Sequence, residues 1–135
     1  MTTYIYNGKI LIKNSKRDNY KFACICKEDG HHIQISSTRE GADVERKRRM
    51  TWCREEIANY RNALQAIEAG KDFYIYKFGR EPSRRCRIDH YKKDCFREDE
   101  RALEPKEYYT KQIEKAEKRL KDWLEKYEIV EVEKR

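Results

Sequence analysis

Apolar and polar positions alternate in short runs over the first 36 residues, and the period then lengthens. Tyr4-Ile5-Tyr6 and Lys9-Ile10-Leu11-Ile12 flank Asn7-Gly8, a dipeptide that accepts the positive φ values of a two-residue hairpin turn. Tyr20 to Cys26 predicts a third strand, Asp29-Gly30 its turn, and His32-Ile33-Gln34-Ile35-Ser36 a fourth. The N-terminal third thus reads as an antiparallel meander with one face available for packing. From Ser36 to Gly70 the apolar positions Met50, Cys53, Ile57, Tyr60, Leu64 and Ile67 recur at steps of three and four. Such steps lie along one face of a helix. Ser37 with Glu40 has the spacing of a capping box, and Gly70 supplies the stop.

Strand character returns at Asp72 to Phe78, with a turn over Gly79 to Ser83 and a returning strand at Arg84 to Asp89. His90 to Glu104 is dense in charge, with a short helix expected over Arg97 to Leu103. Pro105 can open a helix because its missing N–H would be unpaired there. Tyr109, Ile113, Ala116, Leu120, Trp123 and Tyr127 carry that helix onward, and Ile129 to Val132 predicts a short edge strand. The pattern predicts an α+β fold: an N-terminal antiparallel sheet, a long central helix, a second hairpin and a C-terminal helix. No repeat or linker divides the chain, so one domain over residues 1–135 is expected.

Composition changes this picture in two ways. Hydrophobic residues make up 38% and charged residues 42%, enough for a thin core only. Two apolar seams in so polar a chain predict that part of one seam is shared between subunits, in a dimer or hexamer. The net charge of +7, from 32 bases against 25 acids, favours an anionic partner. The mixed signs fit a localised basic pocket at least as well as a long basic groove. Five cysteines, an odd number, with no secretory leader, predict free thiols in a reducing, cytoplasmic setting. No run approaches the roughly 18 apolar residues of a membrane span.

Candidate chemistry concentrates in two basic segments. Arg46-Lys47-Arg48-Arg49 lies near the start of the long helix, where unpaired backbone N–H groups favour an anion. Arg39, Arg46 and Arg49 are the candidates there. The competing reading is a solvated face. Arg84, Arg85 and Arg87 crowd the returning strand beside Tyr74 and Tyr76. Guanidinium groups hold phosphates through paired donors, and tyrosine rings stack on bases. Alternation puts Arg85, Arg87 and Asp89 on one face and Arg84 with Cys86 on the other. The competing reading is an edge strand kept soluble by charge. Cys24, Cys26, His31 and His32, and Cys86-x3-His90-x4-Cys95, match no zinc finger spacing, so no metal and no cofactor are expected. No nucleophile elbow, HExxH or Walker loop is present, and Asp89-His90 and the acidic cluster Glu98-Asp99-Glu100 do not suffice for catalysis. An enzyme is not expected.

The element order, the HIQISSTREGA entry at His32 to Ala42, the helix to Gly70 and RCRID at Arg85 to Asp89 resemble a phage family, the Thoeris anti-defence proteins. The resemblance covers about half the chain. It implies a small oligomer that sequesters a cyclic ADP-ribose isomer, or in some relatives a cyclic oligonucleotide, without degrading it. It also implies ligand contacts at Arg87 and Asp89, with aromatic residues such as Tyr60 near the base. The alternative is a phage-type nucleic-acid-binding or nuclease-inhibiting protein using the same arginines.

Overall fold

A computed structural model describes residues 1–77, 79–88 and 104–135. The fold is α+β. The elements are β1 (Thr2–Tyr6), β2 (Lys9–Ser15), β3 (Phe22–Cys26), β4 (His32–Ser36), α1 (Arg39–Ala42), α2 (Val44–Glu68), β5 (Phe73–Lys77), β6 (Glu81–Cys86), α3 (Pro105–Glu125), β7 (Tyr127–Glu131) and β8 (Glu133–Lys134). Asp89, His90, Cys95, Glu98-Asp99-Glu100 and the short helix expected over Arg97 to Leu103 lie outside the described residues. The chain forms two compact units, one of residues 1–50 and 121–135 and one of residues 51–120. Their boundaries fall inside α2 and α3, so no linker composition marks them.

In the first unit the Asn7-Gly8 turn forms as its chemistry dictates, with φ of 48° and 76° and Tyr6 paired to Lys9 across it. The meander expected from the strand order does not form. β1 and β2 belong to one sheet of order β2-β1-β8, whereas β3 and β4 belong to another of order β4-β3-β7. The C-terminal segment supplies the third strand of each: β7 pairs along all of β3, and β8 adds to β1. Tyr4 is fully buried, and its hydroxyl donates to the Arg17 carbonyl at 2.6 Å. This fastens the segment that separates β2 from β3. Ala23, Ile25 and Val130 form a buried cluster, with Leu11, Ile35 and Val132 packed on it.

The long helix does not start at a Ser37 cap. Thr38 caps the four-residue α1, its hydroxyl accepting from Gly41 N at 3.0 Å. A separate helix, α2, then begins at Val44. The break falls at Asp43, the C-cap of α1, and Gly41 before it lies where an added Cβ would stand 2.2 Å from Ser36 Oγ. Only glycine allows the chain to turn so close to the end of β4.

In the second unit Ala63, Phe73, Cys86 and Tyr109 form the core, with Tyr60, Leu64, Ile67, Ile75 and Tyr76 packed around it. This seam of α2 is core, as its period predicted. The β5–β6 hairpin turns earlier than expected, and Pro82 lies within β6. Proline lacks a ladder donor and is tolerated in a strand at an irregularity. The register shifts where it pairs, between Ile75 and Tyr76. The turn is anchored on α2: Asn59 Nδ2 donates to the carbonyls of Gly79 at 3.1 Å and Arg80 at 2.7 Å. Arg80 also lies over the Trp52 ring at 4.3 Å.

Candidate functional site

The two basic segments resolve differently. At the start of α2, each base of the run has an acidic neighbour one turn earlier. Arg46 Nε donates to Asp43 at 2.7 Å, and Lys47 lies 3.9 Å from the same carboxylate. Arg48 and Arg49 both bind Glu45 at 3.0 Å. Arg46 further donates to the Trp123 carbonyl at 3.0 Å, near the C-terminus of α3, where a cation complements the helix dipole. Its side chain is only 20% exposed. Such a contact is part of the packing and is not released to a ligand without loss of structure. Arg49 lies over the Trp123 ring at 5.3 Å, and Arg39 over the Phe22 ring at 5.0 Å.

The N-terminal anion position expected of this helix is also filled. The Glu45 N–H donates to Gln34 Oε1 at 2.7 Å, so a neutral side chain occupies the place where an anion was expected to settle. Arg46 is therefore a structural contact, while Arg39 and Arg49 each lie over an aromatic ring, Arg49 also binding Glu45.

The β5–β6 hairpin keeps its charges outward. Tyr74 stands directly across from Arg85 in the ladder, and its ring is 48% exposed. Arg85 donates to Asp72 Oδ2 at 2.8 Å while remaining 67% exposed. The other oxygen of Asp72 accepts from the Ile88 N–H at 3.3 Å. Asp72 thus ties the end of β6 to the start of β5. An ion pair as exposed as Arg85–Asp72 is worth only about 0–1 kcal/mol, so an incoming phosphate can share or replace the carboxylate at little cost. Arg84 lies across from Ile75, on the side of Phe73 and Cys86, yet is exposed. The predicted alternation over Arg84, Arg85 and Cys86 is observed. Arg87 lies one residue past the end of β6 and is exposed.

The chain matches no protein-family model, no curated protein and no solved structure.

Two expected aromatic contacts are elsewhere. Tyr76 is partly buried against the core, because the register shift separates it from the outward face that Tyr74 keeps. Tyr60 packs beside Tyr109 at 5.7 Å between ring centroids. Among the described residues the exposed ring of the hairpin is Tyr74, across from Arg85; burial of the neighbouring tyrosine could not be read from alternation alone. Asp89 lies outside the described residues.

The cysteines depart from the expectation that all are free. Cys24, Cys26 and Cys53 are free and buried, whereas Cys86 is disulfide-bonded. Burial raises the Cys24 thiol from its ordinary 9.0 to about 11, and raises Cys53 as well, so neither is a ready nucleophile. Among the described residues no helix is long and apolar enough to cross a membrane.

Proposed function

We propose that the protein is a non-enzymatic binding protein for a phosphate-bearing nucleotide, held on the outward face of the β5–β6 hairpin. The observation that carries this reading is the exposed Tyr74 ring placed across from the exposed Arg85 guanidinium. Arg87 and Arg84 supply further positive charge nearby. In this reading Arg85 and Arg87 take phosphate oxygens and Tyr74 stacks on the base. On the resemblance to Thoeris anti-defence proteins, the ligand is a signalling nucleotide, a cyclic ADP-ribose isomer or a cyclic oligonucleotide. Its capture in the host cytoplasm blocks a bacterial immune pathway. The capturing form is a homo-oligomer, a dimer or hexamer, in which part of an apolar helix seam is shared between subunits.

The openness of the hairpin face favours one other reading, a nucleic-acid-binding protein that tracks backbone phosphates with the same arginines. Salt separates the two. Duplex binding that rests on counterion release collapses between low and moderate salt, whereas charges enclosed with a small ligand are screened less. Calorimetry against a panel of cyclic nucleotides and duplex DNA, at two salt concentrations, tests both. Arg85→Ala and Arg87→Ala should each weaken nucleotide binding by about 1.5–3 kcal/mol, roughly ten- to a hundredfold. Ligand recovered after long incubation should be intact. Cleaved product exceeding the amount of protein would replace capture with turnover.

A further inference from the structure

The turn joining β3 to β4 brings together three side chains with metal-ligating atoms. Cys26 ends β3, His31 immediately precedes β4, and Asp29 lies in the turn between them. The turn is fixed by its own backbone: Cys26 N donates to the His31 carbonyl and Gly30 N to the Cys26 carbonyl, each at 2.8 Å. Gly30 sits at a φ of 74°, which lets the chain reverse within so few residues. As a result the Cys26 sulfur, an Asp29 carboxylate oxygen and a His31 ring nitrogen all lie within 4.8 Å of one another.

We propose that this turn is a binding site for a divalent cation of the zinc class, held by Cys26 Sγ, the Asp29 carboxylate and the His31 imidazole. Three observations support it. The donor set mixes sulfur, nitrogen and oxygen, which suits borderline metals; magnesium and calcium favour oxygen alone. One thiolate and one carboxylate neutralise a divalent ion. A cavity of about 300 Å³ adjoins the site and is lined in part by Cys26, Asp29 and Glu128, which leaves room for the fourth ligand that three-donor zinc sites reserve for water or substrate.

The side chains need little movement. Bonds of about 2.0–2.3 Å to a tetrahedral ion put neighbouring donors roughly 3.3–3.8 Å apart. Asp29 and His31 are exposed side chains and free to adjust, and at present they are hydrogen-bonded to each other. On binding, the ion takes the place of this hydrogen bond, the imidazole keeping any remaining proton on its other nitrogen, and the Cys26 thiol releases its proton to water. The His31 ring is steadied from outside the ligand set by an edge-on contact with Tyr127 at 6.0 Å between centroids. Lys9 Nζ is turned to the Asp29 carbonyl at 3.0 Å. Hydrogen bonding within the turn accounts for Asp29. The Cys26 thiol also hydrogen-bonds the Asp29 carboxylate, so all three donor groups already converge on one another without an ion.

The site is independent of the hairpin proposed for nucleotide binding, so either assignment can fail alone. The test is cobalt titration of the full chain after chelator stripping, read by the thiolate-to-cobalt charge-transfer band, followed by zinc competition against a chromophoric chelator. Wild type should show the band with one equivalent bound. Cys26→Ser should abolish the band, while Cys24→Ser and Cys53→Ser keep it. His31→Ala, at an exposed position, should weaken zinc by more than the about 10–100-fold that loss of an outer partner costs. Asp29→Asn keeps a turn acceptor but loses the charge, and should also weaken binding. Absence of the band in wild type, its survival in Cys26→Ser, or equal zinc affinity in wild type and His31→Ala overturns the proposal.

Discussion

Gly79 is the position at which one added methyl group should do most damage to the hairpin, and the cost can be separated into parts. Its φ is 72°, and a Cβ there would fall 2.3 Å from Glu56 Cγ and 2.7 Å from Glu56 Oε1. Gly70, which ends α2 with a φ of 69°, has nothing within 4 Å of the same atom. Both residues belong to the same unit. A left-handed alanine costs about 1–2 kcal/mol, offset by about 0.4–1 kcal/mol from a less flexible unfolded chain. Gly70→Ala should therefore destabilise by about 1 kcal/mol.

At Gly79 the Glu56 side chain must also move. It is bound to Arg119 at 2.7 Å and is 18% exposed, so displacement loses an ion pair worth about 0.2–1 kcal/mol. A strained rotamer adds about 0.5–1.5 kcal/mol. The total for Gly79→Ala comes to about 2–3 kcal/mol. The three atoms nearest the added Cβ all belong to the Glu56 side chain beyond Cβ. In a Glu56→Ala background the same substitution should fall back to about 1 kcal/mol, a coupling of about 1–2 kcal/mol. Urea denaturation followed by far-ultraviolet circular dichroism, with an unchanged m value, measures all four proteins. Equal costs of Gly79→Ala in the two backgrounds would refute the steric argument.

Arg46→Ala should lower stability by about 1.5–3 kcal/mol, because it strips a charge-assisted bond from Asp43 and a donor from the Trp123 carbonyl; thermal denaturation reads this, and nucleotide affinity should not change. Cys24 is neutral when protonated, and burial raises its folded pKa from 9.0 to about 11, so the stability it confers is full below pH 9 and is lost as pH rises towards about 11. Cys24→Ala should remove that part of the alkaline slope, measured as the difference in melting temperature between the two proteins from pH 8 to pH 11.

The elements most legible in the sequence are those whose cause is local. Asn7-Gly8 makes its hairpin because two adjacent residues tolerate positive φ, and Gly70 and Pro105 end and begin helices for equally local reasons. The sheet partners were not legible. β8 consists of Glu133 and Lys134, whose side chains are exposed, and no apolar alternation announces that this segment closes on β1. The split of one expected meander into two sheets depends on that closure. The helix break at Asp43 was masked by a seam whose period continues undisturbed from Met50 onward. At the candidate sites, the exposed arginines of β6 were legible from alternation, whereas the separation of Tyr76 from Tyr74 required the irregularity opposite Pro82. The Cys26–Asp29–His31 group matches no finger spacing; its signal in the sequence is a donor on each side of a tight turn and one within it.

The two basic segments show why the number of positive charges in a run is a poor guide to where an anion binds. Arg46-Lys47-Arg48-Arg49 has the higher local density, yet Asp43 and Glu45 precede it by the three or four residues that bring helical side chains together. All four bases have a carboxylate within reach, and the most buried of them also holds a carbonyl of α3. A phosphate arriving there would have to displace contacts that the fold itself uses. On β6 the geometry is reversed. Successive residues of a strand point to opposite faces, so Arg84 and Arg85 cannot both reach Asp72, and Asp72 already divides its oxygens between Arg85 and a backbone N–H. A helix gathers its opposite charges into pairs, whereas a strand disperses them. The same chemistry is therefore taken up by contacts in α2 and left more exposed on the β5–β6 hairpin, which supports proposing the shorter and less charged of the two segments as the nucleotide site.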